Sequence, residues 1–281
     1  MLAKSTPKST LKSKQTNHED WARHRKITAP CFNERVSQTV WTEAGRQARS
    51  MLDNIFASGT QDVYTNLDED TRVIALHTLT GAGLGKFHSF TGGVREVESG
   101  HLFSFGDALF QVLKSIRTIL VFRPLFSPKT QPYLPKGLAE VCKVTLECGR
   151  YFDEMVDQQK STNSEIASKP QKNLLSSLVK ASSDADEEKA RGFGSGGLSK
   201  EEIRGNLYIF TFAGHETTAN AMAYAISYLA VYPKWQQWVV EEIDAILKLH
   251  KADEYEDIYP KLVRCQAVLV SGPLKTNPSI A

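Results

Sequence analysis

Glu216 and Thr217 set a carboxylate directly beside a hydroxyl, in the stretch FTFAGHETTAN that spans residues 210–220. Such a pair can pass protons from solvent toward a reacting group. The flanks are apolar at helical spacing, so the pair falls at the centre of what reads as one long helix. The placement is unfavourable in itself, because glycine and threonine are poor helix formers and a carboxylate is costly to bury. Ala213 and Gly214 lie just upstream, and two small residues let a helix backbone approach a large flat cofactor closely. If that cofactor activates dioxygen, protons must reach the distal oxygen, and the acid–alcohol pair would deliver them. A mid-helix threonine can also bond back to the carbonyl four residues earlier and bend the helix, opening a pocket for oxygen and water. The same residues also fit a tight helix–helix crossing with Glu216 in solvent.

A second candidate is WARHRK, residues 21–26. Trp21 and Arg25 are four apart and share one helical face. An indole N–H and a guanidinium both donate to carboxylates, so the face suits an anionic group. A solvated basic helix with one anchoring tryptophan is the alternative.

Other motifs fail on spacing. GAGLGK would need glycine at 86 to read GxGxxG, and that residue is Lys86; a P-loop would need glycine at 80, which is Thr80. HETTA lacks the second histidine of HExxH, because Ala219 stands there, so no zinc-protease site forms. Cys142 and Cys148 would sit about 240° apart around a helix and share no ligand face. With Cys31 and Cys265 they form no CxxC pair, and they read as reduced, buried thiols.

The elements that must position these residues are almost wholly helical, so the expected fold class is mainly α. The sequence has 34 Lys+Arg against 32 Asp+Glu, a balance that argues against nucleic acid as a partner. No apolar run reaches the length of a membrane span. Residues 1–17 are polar and basic and are expected to be disordered. Helices are expected over 19–29, ended by Pro30, and over 34–57, capped by Asn33, with Val36, Val40, Ala44, Ala48, Met51, Leu52 and Ile55 at helical spacing. Further helices are expected over 68–80, stopped by the glycines of GAGLGK, over 101–121, and over 138–160. Residues 161–199 read as polar and loose apart from the apolar patch NLLSSLVKA, with RGFGSGG as a flexible connector. Ser199 and Glu202 form a capping box that opens a helix running to about Val231. Pro233 then starts another, with Trp235, Trp238, Val239, Ile243, Ile246 and Leu247 marking its buried face.

Together the two candidate motifs resemble the cytochrome P450 superfamily of haem-thiolate monooxygenases, most closely its fungal microsomal members. DWARHRKITAPCFN is similar to the family's helix C, with Trp21 and Arg25 in its W-x-x-x-R positions. FAGHETTAN is similar to its helix I signature, A/G-G-x-D/E-T-T/S. TGAGLGKFHSF, the region from LSKEEIRGN to VVEEID, and YPKLVRCQAVL match in the same order. The resemblance implies the helical core of that fold, helices C to J and the start of K, over residues 18–270. It implies haem as cofactor, with its propionates held by Trp21 and Arg25. By the same match Glu216 and Thr217 are the acid–alcohol pair, and Ala213 and Gly214 line the oxygen pocket. An apolar organic substrate, an NADPH-dependent reductase and the endoplasmic reticulum membrane are the implied partners and location.

The match also breaks. After Leu269 the chain reads VSGPLKTNPSIA where an E-x-x-R motif is expected, so residues 271–281 form a divergent tail. None of the four cysteines lies in F-x-x-G-x-R-x-C-x-G, the family's axial-ligand motif. Most of the β-rich region and any membrane anchor are also missing from the match. The thiolate pushes electron density onto the iron and favours O–O cleavage. The expectation is therefore a truncated chain that is inactive alone. A non-enzymatic helical binding protein is the rival reading.

Overall fold

In the computed structural model, residues 18–57, 59, 64–91, 97–165, 173–252 and 254–271 are described. The expectations for residues 1–17 and for nearly all of the tail lie outside them. Among the described residues there is no β-strand, and no helix is long and apolar enough to cross a membrane.

The chain opens with α1 (His18–Thr28), which tightens into a 3-10 turn over Ala29–Cys31 where Pro30 removes a donor. α2 (Glu34–Ala57) starts where Asn33 Oδ1 accepts from the Val36 N–H at 3.3 Å. Its buried residues are the apolar Val36 and the polar Glu43 and Gln47, whereas Val40 and Leu52 are exposed. Gln47 donates to Glu43 at 2.8 Å and to the His88 carbonyl at 2.8 Å, so hydrogen bonds join the burial of Val36 in seating this helix.

α3 (Leu67–Leu79) does not stop at the first glycines as expected. It continues as a π-helical turn over Thr80–Leu84, and only Gly85, at φ 76°, ends it. Gly81 permits this, since a Cβ there would lie 2.9 Å from the Phe87 ring and 3.2 Å from the Glu43 stem.

The helix expected over 101–121 is two: α4 (Phe105–Lys114) and α5 (Ile116–Phe122), broken at Ser115. Residues 101–104 are bound elsewhere. The buried Glu147 accepts from His101 at 3.0 Å and from the Leu102 N–H at 2.7 Å, and Ser104 caps α4. α6 (Lys136–Glu165) follows. α7 (Leu174–Ala190) replaces much of the segment read as loose, and it carries its own capping box from Asn173 and Ser176.

α8 (Lys200–Val231) and α9 (Pro233–Leu247) begin at the expected signals. On α9, Val239 and Ile246 are buried, but Leu247 is exposed. The short α10 (Tyr255–Ile258) and α11 (Val263–Ser271) close the described chain.

The main core lies where α1, α4, α6, α7 and the start of α8 meet. Tyr151, Phe152, Leu109, Leu178, Ile203 and Leu207 are almost fully buried there. Phe152 meets Phe105 and Tyr208 edge to face at 5.9 and 4.9 Å.

Candidate active site

α8 is set by its first turn. The Glu202 N–H donates to Ser199 Oγ at 3.2 Å, and the Ser199 N–H donates to Glu202 Oε2 at 2.8 Å. From there Ile203, Leu207, Thr211, His215 and Ala219 are buried at intervals of four. Each such step overshoots a full turn by about 40°. The buried stripe therefore winds from the main core onto α3, and the opposite side of α8 stays open.

That open side carries the candidate chemistry. Ile209, Phe212, Ala213, Glu216, Thr217 and Asn220 are all exposed. Thr217 Oγ1 donates back to the Ala213 carbonyl at 2.5 Å, the bond anticipated for a mid-helix threonine. α8 nevertheless stays α-helical through the stretch, with no π or 3-10 turn there.

The structure separates the two small residues. Ala213 faces the open side, whereas a Cβ on Gly214 would point at Leu79 of α3, 3.5 Å away. His215 is buried against α3, and burial lowers its pKa.

α1 lies against the same face of α8. His24 Nε2 donates to Glu202 Oε1 at 3.3 Å, and Asn206 Nδ2 donates to His24 Nδ1 at 3.4 Å and to the Glu202 carbonyl at 2.8 Å. Glu202, Asn206, Ile209, Ala213, Glu216, Thr217 and Asn220 fall within an arc of about 100° around the helix axis. Asn206 and Glu216 are about 15 Å apart along it. Trp21 and Arg25 thus project from a helix mounted on the face that holds the acid–alcohol pair, about three turns further along. Both are exposed, and the Arg25 guanidinium sits 5.4 Å from the Trp21 ring centroid. Among the described residues Arg25 has no carboxylate partner, so its guanidinium can receive an anion.

Sequence reasoning saw Glu202 only as a cap. Its hold on Arg23 and His24 was invisible, because those partners lie 179 and 178 residues away.

None of the cysteines belongs to the open face. Cys31 and Cys148 lie in the main core, and Cys31 donates to the Ile27 carbonyl at 3.2 Å. All four are free. Burial pushes the Cys31 thiol up to about 11 and the Cys148 thiol up to about 12. Burial and then Glu242 take Cys265 to about 11, and burial also raises Cys142. Cys31, Cys142 and Cys148 are buried and Cys265 half-buried, and each is held toward the thiol, whereas a metal ligand must be a thiolate.

Solved structures share this fold. The chain aligns with the crystal structure titled as a cytochrome P450 (CYP102L1) at TM-score 0.60 and 17% identity, over 90% of this chain and 52% of that one. It aligns with the cytochrome P450DA heme domain at TM-score 0.57 and 19% identity, over 82% of this chain and 44% of that one.

Residues 5–263 match the family described as Cytochrome P450, and the chain belongs to that family. It is 30% identical to Cytochrome P450 monooxygenase 124 of Postia placenta over 255 residues, 91% of this chain and 47% of the relative. It is 27% identical to the phomenoic acid biosynthesis cluster cytochrome P450 monooxygenase of Leptosphaeria maculans over 268 residues, 90% of this chain and 44% of the relative. The chain spans about half the length of these curated relatives.

The family implies haem, and the residues present fit it. The open stripe of α8 offers an apolar surface at Ile209 and Phe212 with the small Ala213 between them and Glu216, and Arg25 offers a guanidinium without a carboxylate partner among the described residues for a propionate.

Proposed function

We propose that this chain forms the proton-delivery and propionate-binding half of a haem-dependent monooxygenase acting on an apolar organic substrate. The observation that carries the proposal is that one face of α8 bears Ala213, Glu216 and Thr217 and also mounts the helix with the Trp21–Arg25 pair. Bound haem would supply dioxygen activation, with one oxygen atom entering the substrate, the other leaving as water, and electrons coming from an NADPH-dependent reductase.

The placement of the chain's own residues supports the following roles. Trp21 and Arg25 donate to the propionates and orient the ring. Ala213 presents little more than backbone on the open side, so a flat group can lie close to α8. Gly214 stands behind it, on the side of α8 that faces Leu79 of α3. Glu216 is exposed and exchanges protons with water. Thr217 passes them inward once its hydroxyl leaves the Ala213 carbonyl.

The axial thiolate is not among these residues, so the 281-residue chain alone does not turn over substrate. Titration of the purified chain with haem tests the reading. Trp21→Ala and Arg25→Ala should each weaken binding, and the reduced, carbon-monoxide-bound form should lack the Soret band of thiolate ligation. Haem binding indifferent to both substitutions would remove the propionate assignment. No binding at all would favour a helical protein that binds some other partner.

A further inference from the structure

The basic residues of α1 are not equivalent. Arg23 Nη2 contacts Glu202 Oε1 at 2.5 Å, and Nη1 reaches Glu202 Oε2 at 3.3 Å and the Gly197 carbonyl at 2.8 Å. Asp20 lies 3.7 Å from the same guanidinium. Lys26 is 3.8 Å from Glu188 on α7. Arg25 alone of the three has no carboxylate partner among the described residues. Glu202 therefore holds one α1 arginine while leaving the other to an external anion.

Glu202 also joins α1 to α8. Its carboxylate accepts from the Ser199 N–H at 2.8 Å, from Arg23 and from His24, so a single side chain caps α8 and clamps α1 onto it. Burial alone would raise its pKa, but the bonds from Arg23, Ser199 and His24 outweigh burial and hold it down to about 2. α1 has 11 residues, too few to be stable as an isolated helix. Its orientation is set by tertiary contacts, chiefly the buried Ile27 and this clamp. Trp21 lies about 60° and Arg25 about 100° around the axis from His24. Any roll of α1 about the clamp swings both donors together. Ligand sites lose function when their donors stray by about 10–20°.

We propose that Glu202 is a positioning residue for cofactor binding: by holding Arg23 and His24 it fixes the roll of α1 and so aims Trp21 and Arg25 at the propionates. This rests on the haem reading above and adds to it a residue that touches no part of the cofactor.

The test uses the 281-residue chain, titrated in parallel with haem and with haem dimethyl ester, whose propionates carry no charge. Glu202→Gln keeps the size and the capping acceptor but removes the charge. It should weaken haem binding about tenfold, the lower end of the range for supporting partners of cofactor ligands, and leave dimethyl ester binding as in the parent chain. Arg23→Lys, which loses the forked contact, should show the same loss of selectivity to a smaller degree. If thermal unfolding shows Glu202→Gln to be unfolded, the Arg23→Lys comparison decides. Equal weakening toward both ligands would mean a merely structural clamp and overturns the proposal. So does unchanged haem selectivity in Glu202→Gln while Arg25→Ala loses it. If the parent chain binds no haem, or Arg25→Ala is without effect, the haem reading itself fails and this inference falls with it.

Discussion

Gly214→Ala should stabilise the chain and leave haem affinity unchanged. Gly214 lies in the interior of α8, where alanine is favoured over glycine by about 0.8–1 kcal/mol. The added methyl would meet one neighbour, Leu79 Cδ1, at 3.5 Å, an ordinary van der Waals contact that displaces nothing. The net expectation is a gain of about 1 kcal/mol, which moves the melting temperature of a chain this size up by about 2–3 °C. Thermal unfolding followed by far-ultraviolet circular dichroism measures it.

The companion change is Ala213→Leu. It adds bulk on the open side, where no packing partner is lost, so stability should shift by no more than about 0.5 kcal/mol. Haem affinity should fall, because the ring can no longer lie close to the backbone. A destabilised Gly214→Ala would mean that the Leu79 side chain leaves a Cβ at 214 less room than 3.5 Å. Loss of haem affinity in Gly214→Ala with none in Ala213→Leu would reverse the assignment of the two faces.

Other outcomes follow from the packing. Gly197→Ala should cost about 2–4 kcal/mol, seen as a lower urea midpoint, because a Cβ there would lie 2.2 Å from the Ser182 carbonyl oxygen and part the Leu198 N–H from Ser182 Oγ, now at 2.7 Å. Burial, and then His88, hold His77 down to about 4 from an ordinary 6.5, so the unfolded chain takes up the proton first on acidification. The neutral ring's contribution is fully present above pH 6.5 and is lost as pH falls toward 4. His77→Gln should flatten that part of the stability profile. A slope unchanged by the substitution would show that other groups produce it.

The starts of α8 and α9 and the cap of α2 were legible because their causes are local. Ser199 and Glu202, Pro233 and Asn33 each act within one helical turn, and that range is visible in a single sequence. α7 escaped notice although its cap is equally local, because Asn173 and Ser176 lack the Glu or Gln that marks a capping box. The π turn at Thr80–Leu84 was misread for a different reason. Glycine is a poor helix former, but Gly81 is needed for the approach of Phe87 and Glu43, and Glu43 lies far earlier in the chain.

The candidate site divides along the same line. Glu216 and Thr217 stood out because Gly214, Thr217 and Thr218 run against the preference of the helix that carries them, and such contradictions concentrate where function overrides stability. Their exposure on α8 and the mid-helix bond from Thr217 to Ala213 are consequences of helix geometry, and both could be anticipated. Glu202 obeys every local rule as a cap, so nothing in its neighbourhood marks its second role. Only folding brings Arg23 and His24 to it from the other end of the chain. A residue whose local and long-range roles agree leaves no trace in sequence, and for that reason the supporting contacts of a site are harder to read than its reactive groups.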